Sequence, residues 1–219
     1  MTSLLPLAQF DDFNWTSGWM IGLYLIAFAI TAALMTFRKY YIVVGPDRAI
    51  VKSGLGGLDV TTAGGKFIVP LFHRFEFMDL TLKSFEISRE GSEGLICRDN
   101  IRADIKVAFF IRVDNTQEEM KEVAQSIGAK RCSEIETLRE LFDAKFSEAL
   151  KTVGKQFDFV DLYDQRDKFK EEILKVIGTD LNGYRLDDAA IDYLEQTPLE
   201  MLSPSNILDA EGIKKITEL

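Results

Sequence analysis

The hydrophobic pattern changes character along the chain, and each change predicts a different kind of element. From Phe13 to Phe37 there is no polar face at all: FNWTSGWMIGLYLIAFAITAALMTF carries no charge. A helix needs about 20 mostly apolar residues to cross bilayer hydrocarbon, and the run from Gly18 to Phe37 supplies that length. Trp15, Trp19 and Tyr24 gather toward one end, where amphipathic rings favour the headgroup level, and Arg38-Lys39 closes the other. A cleaved signal peptide would need a cationic start and a shorter apolar stretch, but residues 1–12 hold Asp11 and Asp12 and neither Lys nor Arg. Residues 13–37 therefore read as a transmembrane helix. Cations concentrate on the cytoplasmic flank of a span, and Arg38, Lys39, Arg48 and Lys52 all follow it. That asymmetry predicts a short non-cytoplasmic tail (1–12) and a cytoplasmic domain after Arg38.

From Tyr40 the pattern shortens to strands separated by glycine turns: Tyr40–Val44, Arg48–Lys52 and Val60–Thr62, with Gly45-Pro46-Asp47, Gly54–Gly57 and Gly64-Gly65 between or after them. Lys66–Asp79 (KFIVPLFHRFEFMD) is rich in aromatic residues. Pro70 excludes a regular central strand there, so the stretch reads as strand, break and strand, with Phe75 and Phe77 on one face. Phe67, Ile68, Leu71 and Phe72 form a candidate lipid-facing loop beside the anchor. Ordinary core packing is the other reading, and the sequence leaves both open. Strands at Leu82–Ser88 and Leu95–Cys97 follow. Ile101–Val113 then alternates strictly, with seven apolar residues on one face and Arg102, Asp104, Lys106 and Arg112 on the other. This is a long half-buried strand, antiparallel to its neighbour. Ala108 and Phe110 interrupt its polar face, which predicts a cover there, most naturally a helix.

The period then becomes helical. Thr116–Glu119 and Ser133–Glu136 both fit a capping box. The first opens a helix to about Gly128. The second opens one to about Val153, with Ile135, Leu138, Phe142, Phe146, Ala149 and Val153 along one face. A third helix begins near Asp161–Asp164 and stops at Gly183, or earlier at Gly178. Tyr184–Leu194 returns as a strand, residues 197–208 form a Pro- and Ser-containing linker, and a new helix begins at 209 with Asp209 as N-cap. Strands, then helices, then a strand indicate an α+β class: a curved, mostly antiparallel sheet with packed helices spanning 38–196.

Composition narrows the function. A net charge of −9 and a pI near 4.8 argue against a nucleic-acid partner, which needs a basic face. Cys97 and Cys132 have no metal-ligand spacing and suit a reducing compartment. Gly54-Leu55-Gly56-Gly57 has Asp59 where a dinucleotide fingerprint needs its third glycine, and Gly64-Gly65-Lys66 is followed by Phe67 rather than Ser or Thr. Both read as turns. His73 is the single histidine, no nucleophile elbow is present, and paired carboxylates such as Asp187-Asp188 point to different sides of their element. No catalytic set, cofactor site or metal site emerges.

Five segments together carry a family resemblance: Arg48–Gly57 (RAIVKSGLGG), Gly64–His73 (GGKFIVPLFH), Leu82–Arg89 (LKSFEISR), Ile101–Val113 and Asp209–Thr217 (DAEGIKKIT). The chain after Tyr40 resembles the SPFH or band 7 superfamily, and within it the flotillin-like inner-membrane proteins of bacteria. The resemblance implies a non-enzymatic scaffold in the inner (plasma) membrane, a large homo-oligomer that encloses a patch of membrane lipids. It also implies pairing with a small membrane protein of the NfeD class. A regulatory adaptor for a membrane protease is the alternative within the same superfamily, and a membrane-tethered enzyme is a third, weaker reading. In the family, the helix corresponding to residues 209–219 continues as a coiled coil. On that pattern the chain is either part of a longer protein or a poor assembler by itself.

Overall fold

The computed structural model describes residues 15–178 and 181–218, with side chains in the first helix from Gly18 onward. The tail 1–12 and the first residues of the apolar run lie outside the described residues. The chain divides into two units: residues up to Val43 with Gly65–Val69, and Val44–Gly64 with everything from Pro70.

In the first unit, α1 (Trp15–Tyr40) is a single uninterrupted helix. β1 (Tyr41–Val44) follows it without a break and pairs with a later strand, as given below.

The second unit begins with β2 (Arg48–Gly54) and β3 (Asp59–Thr61). β4 (Gly64–Phe67) belongs with the first unit and is the partner of β1. β5 (His73–Asp79) returns to form a three-stranded antiparallel sheet in the order β3-β2-β5, with Ala49 opposite Met78 and Val51 opposite Val60. Phe75 and Phe77 do share a face and meet edge to face at 5.7 Å, but Phe77 is exposed while Met78 between that face and the next turns into the core.

β6 (Lys83–Arg89), β7 (Leu95–Ile96) and β8 (Arg102–Val113) build a second sheet with β8 at its centre. Helices α2 (Gln117–Ser126), α3 (Ile135–Gly154), α4 (Phe159–Asp164) and α5 (Arg166–Ile177) come next. β9 (Tyr184–Gln196) then pairs antiparallel with the free side of β8. α3 packs over β6 and β7, and α5 packs against α3 and β9. The buried face of β8 is the predicted apolar one. Phe109 lies 4.6 Å from Phe146 of α3, which also stacks on Phe85 and Phe142, while Phe142 meets Tyr184 edge to face. These rings are the centre of the core, because each aromatic side chain removes more apolar surface from water than any aliphatic neighbour.

Several local expectations are corrected. Neither capping box forms. Thr116 has the extended backbone of an N-cap but its side chain makes no cap bond, and Ser133 sits in a 3₁₀ turn before α3, where its hydroxyl donates to the carbonyl of Asp79 at 2.9 Å. A long-range acceptor has outcompeted the local one. Ile135 is exposed although it continues the apolar face of α3. The predicted third helix is two, α4 and α5, and it is Gly178 that ends them, with a φ of +80° that an L side chain rarely adopts. Ala108 and Phe110 stay half-buried on the sheet face opposite the helices.

The last element, α6 (Ile207–Glu218), starts two residues earlier than predicted. Asn206 caps it: its side-chain oxygen accepts from the Leu208 N–H at 3.0 Å, and its carbonyl accepts from Ala210. Asp209, predicted as the cap, lies inside the helix and faces elsewhere.

Candidate functional site

α1 is apolar up to its last turn: an 18-residue window within Gly18–Tyr40 has a mean hydropathy of 2.1, and none of that window is buried against protein. Trp19 is 75 % exposed, and Arg38 and Lys39 occupy the last turn. Cations there favour the negative end of the helix dipole. The far side of this end is packed within the same unit. Phe37 stacks on Tyr41 and meets Phe67 at 5.4 Å; Tyr40 meets Phe67 at 6.2 Å; the Ile68 N–H donates to the Tyr40 carbonyl at 2.9 Å. Of the four residues of the candidate loop, Phe67 is thus half-covered by the helix end. Ile68 is 1 % exposed. It is a packed residue and not part of an outward-facing surface.

In the second unit Leu71 and Phe72 are open, at 82 % and 55 % exposure. Their neighbour across the sheet end is the β2–β3 turn, where the Leu55 N–H donates to the Phe72 carbonyl and Leu55 is itself 72 % exposed. The close approach depends on Gly54, whose φ is +139° and whose missing Cβ would collide with the Phe72 carbonyl. Sequence reading missed Leu55 because an isolated leucine among glycines has no period. Its signal is the glycine context, which leaves a bulky apolar side chain nothing local to pack on.

The second arrangement lies at the start of β8. Arg102 and Asp104, predicted for a solvated face, are both buried. Arg102 donates from Nε and Nη2 to one carboxylate oxygen of Asp209 at 3.1 and 2.7 Å, and from Nη1 to the carbonyls of Ser92 and Gly94. The other oxygen of Asp209 accepts from the Ser203 N–H at 3.2 Å. Asp104 accepts from the Gly91 N–H and from the Thr197 hydroxyl. Burial acts to push the Asp209 carboxyl up, and the Arg102 guanidinium outweighs it and holds the carboxyl below its ordinary range. α6 is therefore tied into the sheet by a buried charge pair with its hydrogen bonds met. Gly212 completes the contact: a Cβ there would sit 2.5 Å from the Asn100 carbonyl. The alternating pattern could not reveal this, since the partners lie 107 residues apart.

The remaining candidates stay apart. Cys97 and Cys132 are both buried free thiols; burial, then the nearby charges of Asp99 and Asp158, push Cys97 up to about 12. His73 opens β5, and its Nδ1 is buried with no hydrogen-bond partner among the described residues. Among the described residues no group of three or more His, Cys, Asp and Glu is placed to hold a metal ion.

Comparison with known proteins matches this architecture. The model of the "SPFH domain / Band 7 family" covers residues 42–195. The chain is 31 % identical over 210 residues to the flotillin family inner membrane protein YqiK of Escherichia coli, covering 95 % of this chain and 38 % of that protein. It is 23 % identical over 199 residues to the flotillin family inner membrane protein sll1021 of Synechocystis, covering 88 % of this chain and 29 % of the relative. The chain thus spans about a third of the length of these curated relatives. With its α+β domain matched from one end of the sheet to the other, the chain belongs to the SPFH domain/Band 7 family.

Proposed function

We propose that this chain is a membrane-anchored, non-enzymatic scaffold that assembles with copies of itself and organises a membrane microdomain. The observation that carries the reading is α1: a helix of spanning length, with none of its apolar window buried, runs through Arg38-Lys39 straight into a family domain. An apolar surface of that extent left against water would be a severe liability, and lipid is the solvent that removes it. The relatives' designation as inner membrane proteins points to the same compartment. In this reading the tail before α1 lies outside and the domain in the cytoplasm, the side that the cations following the helix favour. Exposed Leu71 and Phe72, with Leu55 beside them, add a second apolar contact with the lipid boundary. Assembly into rings or cages multiplies weak lateral contacts by multivalency, and an NfeD-class protein is a partner for the assembled form.

The test is the particle recovered from native membranes in mild detergent, using the full natural gene product fused to a reporter at its C-terminus. A closed assembly of many copies, with the reporter active only on the cytoplasmic side, is expected. Monomers, or a small complex with one protease, would replace the scaffold by the adaptor reading. A reporter active only outside would reverse the orientation.

A further inference from the structure

Two open grooves of about 600 Å³ each flank the central sheet on opposite edges. They lie at the same level. Ile105 of β8 faces Arg89 of β6 on one side and Leu194 of β9 on the other, and Asp104 and Lys106 face Glu195 and Tyr193. The first groove is lined by Arg89, Arg102, Lys151 and Lys155, with Glu93 and Glu148. Arg89 is already paired with Asp143 and Glu93, and Arg102 with Asp209. Lys151 and Lys155 are different. They are exposed, stand one helical turn apart at the end of α3, and their ammonium groups have no ion pair among the described residues.

The groove beside β9 has the complementary chemistry. Tyr163 and Tyr193 present exposed rings, and Asp192 and Glu195 stand beside Tyr193. The Arg166 guanidinium lies 4.7 Å over the Tyr163 ring, a cation–π contact of the kind an aromatic wall can make. Among the described residues the ion-pair partner of Asp192 is Lys106, at 4.0 Å. β9 is also an edge strand among the described strands, and its register with β8 slips at two bulges. Bulges and acidic residues discourage backbone pairing with another strand. Contact along this edge must therefore be made by side chains.

We propose that the groove beside β9 receives Lys151 and Lys155 of a second copy of this chain. The inference rests on the scaffold reading and specifies its lateral contact. Two different patches meeting head to tail form a heterologous interface, which closes into a ring or continues as a filament depending on the rotation between copies. Patches on opposite edges at one level of the sheet keep neighbouring copies in step along the strand direction.

Charge reversal tests it in the full natural gene product, sized after mild extraction from native membranes. K151E/K155E and D192K/E195K should each reduce the fraction of chain in the large assembly at least tenfold. The chain carrying all four changes should recover it. All four positions are exposed, and a thermal transition matching the wild type confirms folding. Should a reversal variant fail that check, K151Q/K155Q and D192N/E195Q replace it, with the same direction of effect expected. If either pair leaves the assembly at its wild-type size, or the fourfold variant is no larger than the pairs, the contact is not this one while the scaffold reading stands. A wild-type chain that never forms an assembly overturns both.

Discussion

Asp79 shows how a single residue, through its carboxylate and its backbone carbonyl, can join three elements. Its Oδ2 accepts from Lys83 Nζ at 2.6 Å, its Oδ1 from the hydroxyl and N–H of Thr81, and its carbonyl from Ser133 before α3. Burial acts to raise its carboxyl, and the Lys83 and Thr81 donors outweigh burial and bring it down from 3.8 to about 2. A carboxyl lowered in the folded state stabilises fully above its unfolded value and loses that contribution as pH falls through the folded one. Stability should therefore decline between about pH 4 and pH 2 with a component that Asp79→Asn abolishes, read from denaturant midpoints across that range. The donors are partly exposed, so the component is modest. None of these bonds was legible in the sequence: Asp79 and Lys83 are four apart but on two different strands, where helical i,i+4 spacing does not apply.

At the scale of elements, the long alternating strand β8 was legible because thirteen residues of period two admit few other conformations. β9 was legible as a strand but not in its facing. Its buried residues Tyr184, Leu186, Ala189 and Leu194 are unevenly spaced, and the two bulges bring each opposite an apolar residue of β8. Helix starts were misread where a distant partner captured the capping residue, as Asp79 captured Ser133 and Arg102 captured Asp209. The Arg102–Asp209 pair invites a direct test. Asp209→Asn leaves a buried guanidinium without its counter-charge and should cost about 3–5 kcal/mol in denaturant unfolding of the detergent-solubilised chain. R102M/D209L should cost clearly less than the sum of the two single changes, as a double-mutant cycle would record.

For the whole molecule, a net charge of −9 sets the domain against an anionic leaflet at long range, so apolar groups must supply any contact beyond α1. Leu71→Asp with Phe72→Asp should weaken vesicle flotation of the chain lacking α1 without lowering its melting temperature, because both side chains are already open. Ile68→Asp is the contrast: it should destabilise the fold, since that residue is buried. Equal loss of melting temperature in both would make Leu71 and Phe72 structural. The long apolar helix and the domain were legible at this scale, as was the apolar stretch around Pro70; its division into packed Ile68 and open Leu71 was not, because four apolar residues around Pro70 have no period to sort them. The seat of α6 has a mechanical consequence. Its Asp209 and Gly212 grip the sheet within the helix's first two turns, and beyond them Lys215 adds an exposed bond to the Asp99 carbonyl, so the last turns act as a lever arm pivoting on that grip. At 1.5 Å per residue the arm beyond Gly212 is about 9 Å long, so a tilt of about 20° at the grip moves its far end by about 3 Å. That displacement is the width of a side-chain contact, and a loosened root would spoil alignment at the tip before it unfolded anything.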